Sequence, residues 1–363
     1  MKNIRSWGAV TLASLLLAAC GGGGDGDQSP RVKYTAMVSF GDSLSDVGSY
    51  ATPGLVAASG GGKYTVNGPT GKNWTELLSA QAGTGAPCAA QTGLEPSGAL
   101  ATAGFGQAIT NHAGCYGYAQ GGARVTNPIG PGNKALLPGD PSGAVGQLTV
   151  PVVTQIGNHL TAVGGKFSGT ELVTVMAGGN DVFINLATAG ANPDPVAGGT
   201  AAVTAMGVAG AQLAGYIKAL ILANGATHVV VVNLPDVSQT PLAYALPAAT
   251  QGLISTMVTT FNAQLHTGLA GTSGVLEVDA YTQGRDQVAQ PQLYGLTNVT
   301  TPACDLAKLT ATLFASSLVC STNTLIAGDT SHYEFADTVH PTPFAYQLLA
   351  RFVAKRMVES GWL

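Results

Sequence analysis

Four runs of apolar residues constrain this chain more than any other feature. Residues 34–40 (YTAMVSF), 171–177 (ELVTVMA), 227–233 (THVVVVN) and 275–281 (VLEVDAY) are short, β-branched and almost unbroken by polar residues. A strand with one wet face alternates apolar and polar residues, whereas a continuous run belongs to a strand covered on both faces. Between the runs lie helical patterns over residues 145–163, 200–224 and 248–269, and another follows over 344–360. Asn224-Gly225 supplies a helix stop. Strands alternating with helices predict a mostly parallel sheet sandwiched between helices, a three-layer α/β/α domain.

The 363 residues suffice for one large domain of this kind. Residues 50–150 are rich in Gly, Pro and Thr and show one helical stretch, 73–81, so they read as long loop insertions. Residues 283–335 read as a second insertion. Hydrophobic residues make up 45% and charged residues 9%, against about 25% charged in an ordinary globular chain. The formal charge is −4 and no basic stripe is present. Nucleic acid is therefore not expected as a partner, because phosphate binding needs clustered Lys and Arg.

Residues 1–19 read as a targeting segment: Lys2 and Arg5 precede an apolar stretch ending in Leu15-Leu16-Leu17. Leu17-Ala18-Ala19-Cys20 resembles the lipobox of bacterial lipoproteins, with Cys20 as the residue to be lipidated and 20–32 as a Gly-rich tether. The alternative is an ordinary secretory signal cut near Ala19. Export follows from either; with Gly21 after the Cys, an outer-membrane lipoprotein in the cell envelope is the expectation, and a secreted protein the alternative. A single domain would then span 33–363. No later run reads as long and apolar enough to cross a bilayer. Four further cysteines remain, and an even number in an exported chain favours disulfides. Three connectivities are open, of which sequence proximity favours Cys88–Cys115 and Cys304–Cys320.

Four short motifs carry chemistry. Ser43, in Phe40-Gly41-Asp42-Ser43-Leu44-Ser45-Asp46, stands at the C-terminal end of the first strand, where open α/β sheets bind ligands. A helix starting there would aim backbone N–H groups at the site. Asp337-Thr338-Val339-His340-Pro341 places a carboxylate where it orients an imidazole. Gly178-Gly179-Asn180-Asp181 follows a buried strand and offers an amide donor. Tyr118-Ala119-Gln120-Gly121-Gly122-Ala123 allows close approach of a backbone N–H. Each alone is equally consistent with a helix cap, a surface hydrogen bond or a turn.

Together, in this order, they resemble the GDSL family of lipases and esterases, also called SGNH hydrolases. The resemblance spans residues 36–341 and implies the flavodoxin-like SGNH fold. It implies Ser43 as nucleophile, His340 as general base and Asp337 as its orienting acid. The implied oxyanion donors are the Ser43 N–H, the Gly122 N–H and the Asn180 side chain. Many relatives open the glycine block with Asn where Gly117 stands here, so the donor falls at Gly121 or Gly122. Asp42, Asp46 and Asp181 are expected to hold loops. No metal or organic cofactor is implied. The family includes lipases, phospholipases, acyltransferases, thioesterases and carbohydrate acetylesterases. Acyl ester or lipid substrates are expected here, with a polysaccharide acetylesterase as the runner-up. That runner-up would use aromatic platforms, for which Tyr64, Trp74, Tyr116 and Tyr118 are the candidates, although packing is the favoured role. An α/β-hydrolase would need Gly-x-Ser-x-Gly, and a zincin His-Glu-x-x-His; neither surrounds these residues. An inactive surface-binding module is the non-enzyme alternative.

Overall fold

The computed structural model describes residues 32–136, 141–311 and 314–363. The targeting segment, Cys20 and all of the tether but its last residue lie outside them. The main sheet has strands β1 (Met37–Gly41), β2 (Leu172–Met176), β3 (His228–Val232) and β4 (Val275–Val278), parallel and in that spatial order. The segment around Gly117 makes a parallel bridge to Ser39 on the free side of β1. It thus occupies the outer position that the second strand takes in flavodoxin-like sheets.

Helices of eight or more residues are α1 (Trp74–Ala82), α2 (Val152–Ala162), α3 (Gly179–Gly190), α4 (Pro195–Tyr216), α5 (Ala248–Leu269), α6 (Ala280–Ala289) and α7 (Pro343–Glu359). The pleat sorts alternate strand residues to opposite faces. Val38, Phe40, Val173, Val175, Val229 and Val231 pack against α2, α3, α4 and α5. Met37, Leu172, Met176, Val230, Val232 and Val278 pack against α1 and α7. Both faces are covered, which is why the strands read as unbroken apolar runs; each fully buried Val or Leu contributes roughly 1.5–3 kcal/mol.

The structure departs from the sequence reading in identifiable places. The fourth strand stops at Val278, because the Asp279 side chain accepts from Thr282 N and starts α6. The second insertion accordingly begins beyond that helix. The helix expected over 145–163 begins at Val152, after Pro151 and after Thr149, whose φ is 49°. The loops of 50–150 also contain a small antiparallel pair, Gln91–Leu94 with Gln107–Asn111, hidden in the sequence by Gly93 and a register shift. They are not loose: Tyr50, Leu55, Tyr64 and Phe105 form a satellite core with Leu309, Phe314 and Leu318 of the second insertion. The extended helix Pro195–Asn224 is, by length and composition, apolar enough to cross a membrane, contrary to the reading above. Here it buries Met206, Leu213, Ile217 and Ile221 in the sheet's core.

Two disulfides, Cys88–Cys115 and Cys304–Cys320, are formed as proximity favoured. The first holds the segment beside β1: Gly117 N donates to Cys88 O and Ala90 N to Gly117 O. The second closes a loop of the satellite core.

His159 of α2 is buried (1% exposed) among Phe40, Tyr116, Tyr118 and Phe167, and neither ring nitrogen has a hydrogen-bond partner among the described residues. Burial pushes it from its ordinary 6.5 down to about 4, with Glu171 offsetting part of the shift. Between these values the unfolded chain binds a proton that the folded chain refuses. Stability from this residue is therefore complete above about pH 6.5 and is lost, by about 3 kcal/mol, as pH falls towards 4. Urea midpoints of wild type and His159→Phe at pH 7 and pH 4.5 test this: the wild type should lose more stability between the two pH values than the variant.

Candidate active site

The site assembles at the C-terminal ends of β1 and β2. Gly41 ends β1 with φ 152°, and a Cβ there would lie 2.1 Å from the carbonyl oxygen of Met176. Only glycine fits such an approach. Gln155 of α2, buried, fixes the same peptide from both sides: its Oε1 accepts from Gly41 N at 2.9 Å and its Nε2 donates to Gly41 O at 2.8 Å. Nothing in the sequence marked Gln155, since a lone glutamine in a helix carries no motif.

Beyond Gly41 the chain makes one 3-10 turn, Ser43–Ser45, rather than the helix expected from residue 42. Asp42 caps it by accepting from Leu44 N at 3.1 Å. Asp46 then ends it: its Oδ1 accepts from Gly48 N at 2.8 Å and Ser49 N at 2.7 Å, turning the chain away. Its Oδ2 accepts from Gly121 N at 2.9 Å. Asp46 thereby ties the Ser43 turn to the glycine block.

That bond separates the two glycines. The Gly121 N–H is already held by Asp46, while the Gly122 N–H has no partner among the described residues. Gly122 has φ 78°, and a Cβ there would strike Pro131 O at 2.4 Å. The Ser43 N–H is likewise without a partner among the described residues. Asn180, buried in the first turn of α3, donates one amide hydrogen to Ala123 O at 2.8 Å; an amide has two. On its own the block is open to a turn as readily as to a donor site; here Gly178, at φ 121° with the Phe261 ring against it, starts α3. Asp181 accepts from Arg124 Nε at 2.9 Å and Val125 N at 3.0 Å.

The fourth motif reaches this place from near the other end of the chain. A hairpin-like turn, with Phe335 bridged to Pro341, presents Asp337 and His340. His340 Nε2 lies 2.9 Å from Ser43 Oγ. On the other side of the ring, Nδ1 lies 2.8 Å from Asp337 Oδ2 and 3.0 Å from Oδ1. Asp337 is buried (1% exposed) and accepts from Val339 N, His340 N and Ser317 N at 2.9, 2.8 and 2.6 Å. Burial alone would raise its carboxyl, but the neighbouring imidazole and these donors outweigh burial and hold it well below the usual carboxylate range. Asp42 has no comparable set, and burial pushes it up to about 7, against the pull of the Leu44 N–H and His340. Tyr64 backs the imidazole, with ring centroids 4.7 Å apart.

Ser43, His340 and Asn180 border one cleft, partly open to solvent. Its walls are mainly apolar, with Leu44, Phe183, Leu234, Val288, Phe335 and Leu349 among them. Gly122 is not among the cleft's lining residues, and none of the four candidate aromatic platforms lines it either. Trp74 is fully buried with its indole N–H on Ser45 Oγ, Tyr64 packs behind His340, and Tyr116 and Tyr118 pack around His159.

Asp46→Ala would strip three N–H groups of their acceptor, each costing about 1–3 kcal/mol when left unmet. Urea denaturation should show at least about 3 kcal/mol of lost stability, and a smaller loss for Asp46→Asn, which keeps one accepting oxygen.

A search of curated proteins finds no match to the chain. Residues 37–353 match the family described as GDSL-like Lipase/Acylhydrolase. That match covers most of the chain and all four motifs, so the protein belongs to the GDSL-like lipase/acylhydrolase family of hydrolases.

Proposed function

We propose that this hydrolase cleaves carboxylic esters through an acyl-enzyme, with Ser43 as nucleophile, His340 as general base and then acid, and Asp337 as the group that orients and stabilises the imidazolium. One observation carries the reading: the hydroxyl of residue 43 and the imidazole of residue 340 meet at 2.9 Å, with a carboxylate on the ring's far nitrogen. Oγ attacks the ester carbonyl as Nε2 takes its proton. The negative charge gathers on the carbonyl oxygen and is met by the Ser43 N–H, the Gly122 N–H and the free amide hydrogen of Asn180, each worth about 3 kcal/mol in such a role. His340 then protonates the leaving alcohol. Water, deprotonated by the same ring, releases the acid.

The apolar cleft beside Ser43 favours acyl chains longer than acetyl, because a chain of several methylenes gains about 0.8 kcal/mol for each CH₂ it buries. On p-nitrophenyl esters, kcat/KM should rise from acetate through butyrate to longer chains. Ser43→Ala should lower butyrate turnover at least about 10³-fold. A wild type no faster than that variant would sink the reading, and a peak at acetate would replace it with an acetylesterase.

We further propose that the enzyme is exported and lipid-anchored at Cys20, in the outer membrane. The support is the Leu17-Ala18-Ala19-Cys20 motif and two disulfides, which persist in oxidising compartments. In cells fed a radiolabelled fatty acid, wild type should carry label and sediment with membranes. Cys20→Ser should lose both properties; equal labelling would refute the anchor.

A further inference from the structure

The cleft holds one group that ester hydrolysis leaves unused. Glu334 lies three residues before Asp337 and borders the same cleft as Ser43 and His340. Its backbone is fixed on both sides: its N–H donates to Asn298 O at 2.8 Å, and its carbonyl accepts from Thr342 N at 2.9 Å. The side chain has no such anchorage. Its Oε2 is shut off from solvent and has no hydrogen-bond partner among the described residues. Across the cleft, α6 presents Gln283, Gly284, Gln287 and Val288, spaced as one helical face. Gln287 is buried, and its side chain also makes no hydrogen bond among the described residues. Two polar side chains with unmet capacity therefore stand in a mainly apolar wall.

Glu334 as a whole is half-buried, but a carboxyl oxygen left without a partner away from water is costly. Taking the ester-hydrolase reading as the basis, we propose that Glu334 is a specificity-determining residue that meets a hydroxyl carried on the apolar chain of the ester substrate. A hydroxyl suits the place better than a cation does. Burial pushes this carboxyl up to about 7, so near neutrality it is as much acid as carboxylate and both donates and accepts. The two other acids bordering the cleft have partners: Asp236 is matched by Arg285, and Asp42 accepts from Leu44 N. A site arranged to hydrogen-bond a hydroxyl also discriminates strongly against the same chain without it, because its polar groups are then left unpaired.

The test compares kcat/KM on matched pairs of esters that differ by one hydroxyl. One series places the hydroxyl at successive carbons of the acyl chain, and the other on the alcohol chain. The two series distinguish which half of the substrate lies along Glu334. Wild type should prefer at least one hydroxylated ester by about tenfold or more over its plain partner. Glu334→Leu should abolish that preference and speed turnover of the plain ester, whose chain no longer passes an unmatched carboxyl. Glu334→Gln should keep most of the preference, since the amide still donates and accepts. Thermal melts of both variants exclude unfolding as the cause. The proposal is overturned if every pair is equal in wild type, if Glu334→Leu retains the preference, or if a choline ester is the substrate that Glu334 favours. Failure of the ester reading shows itself differently, as equal rates for wild type and Ser43→Ala on plain butyrate, and it takes this proposal down with it.

Discussion

Four aspartates lie buried within a few residues of the motifs that converge on Ser43, in a chain with only 15 lysines and arginines to neutralise them. A carboxylate in such surroundings needs donors, and most of the donors here are backbone N–H groups. Asp42 takes one from Leu44, Asp46 three from Gly48, Ser49 and Gly121, and Asp337 three from Ser317, Val339 and His340. Asp181 alone has a guanidinium as well. Three of these carboxylates also reach across the sequence, Asp46 to Gly121, Asp337 to Ser317 and Asp181 to Val125, so the solvation of buried charge also draws loops together. The N–H groups of Ser43 and Gly122 are left over from this allocation, and they are the two that an oxyanion would need. Between Gly121 and Gly122, a hydrogen bond that no motif encodes leaves the Gly122 N–H as the one without a partner among the described residues.

The same logic explains why the imidazole is held so firmly. His340 is gripped at Nδ1 by Asp337, at its own N–H by the same carboxylate, and on its face by Tyr64. Tyr64 is positioned in turn, since its hydroxyl accepts from Gln147 Nε2 at 2.7 Å. Preorganisation of this kind places a base without any conformational step at the moment of attack.

What could be read in advance followed from local chemistry. The sheet was legible because Val229 to Val232 and their counterparts are buried on both faces, and the meeting of Ser43 with Asp337 and His340 because the four motifs together resemble one family, where the Asp337–His340 spacing alone says little. What could not be read depended on long-range packing. Gly178 opens α3 at φ 121°, where the Phe261 ring, from α5, leaves no room for a side chain. Asp279 ends a strand that apolar character alone would carry further. Gln155 serves a peptide 114 residues away. Even the satellite core, built of residues scattered through two Gly-rich insertions, has no sequence period, because none of its members shares a helix or strand with more than a few others.

The loop closed by Cys304–Cys320 delivers a donor to the candidate active site. Ser317, inside that loop, is the residue whose N–H reaches Asp337 Oδ2, and Asn67 holds the same loop by donating to the carbonyls of Ser317 and Cys320. Asp337 is therefore solvated in part by a segment inside a covalent ring that forms under oxidising conditions. Where thiols stay reduced, the same side chains would be present but that segment would lose its covalent tie, so formation of the cystine and order behind this carboxylate are coupled.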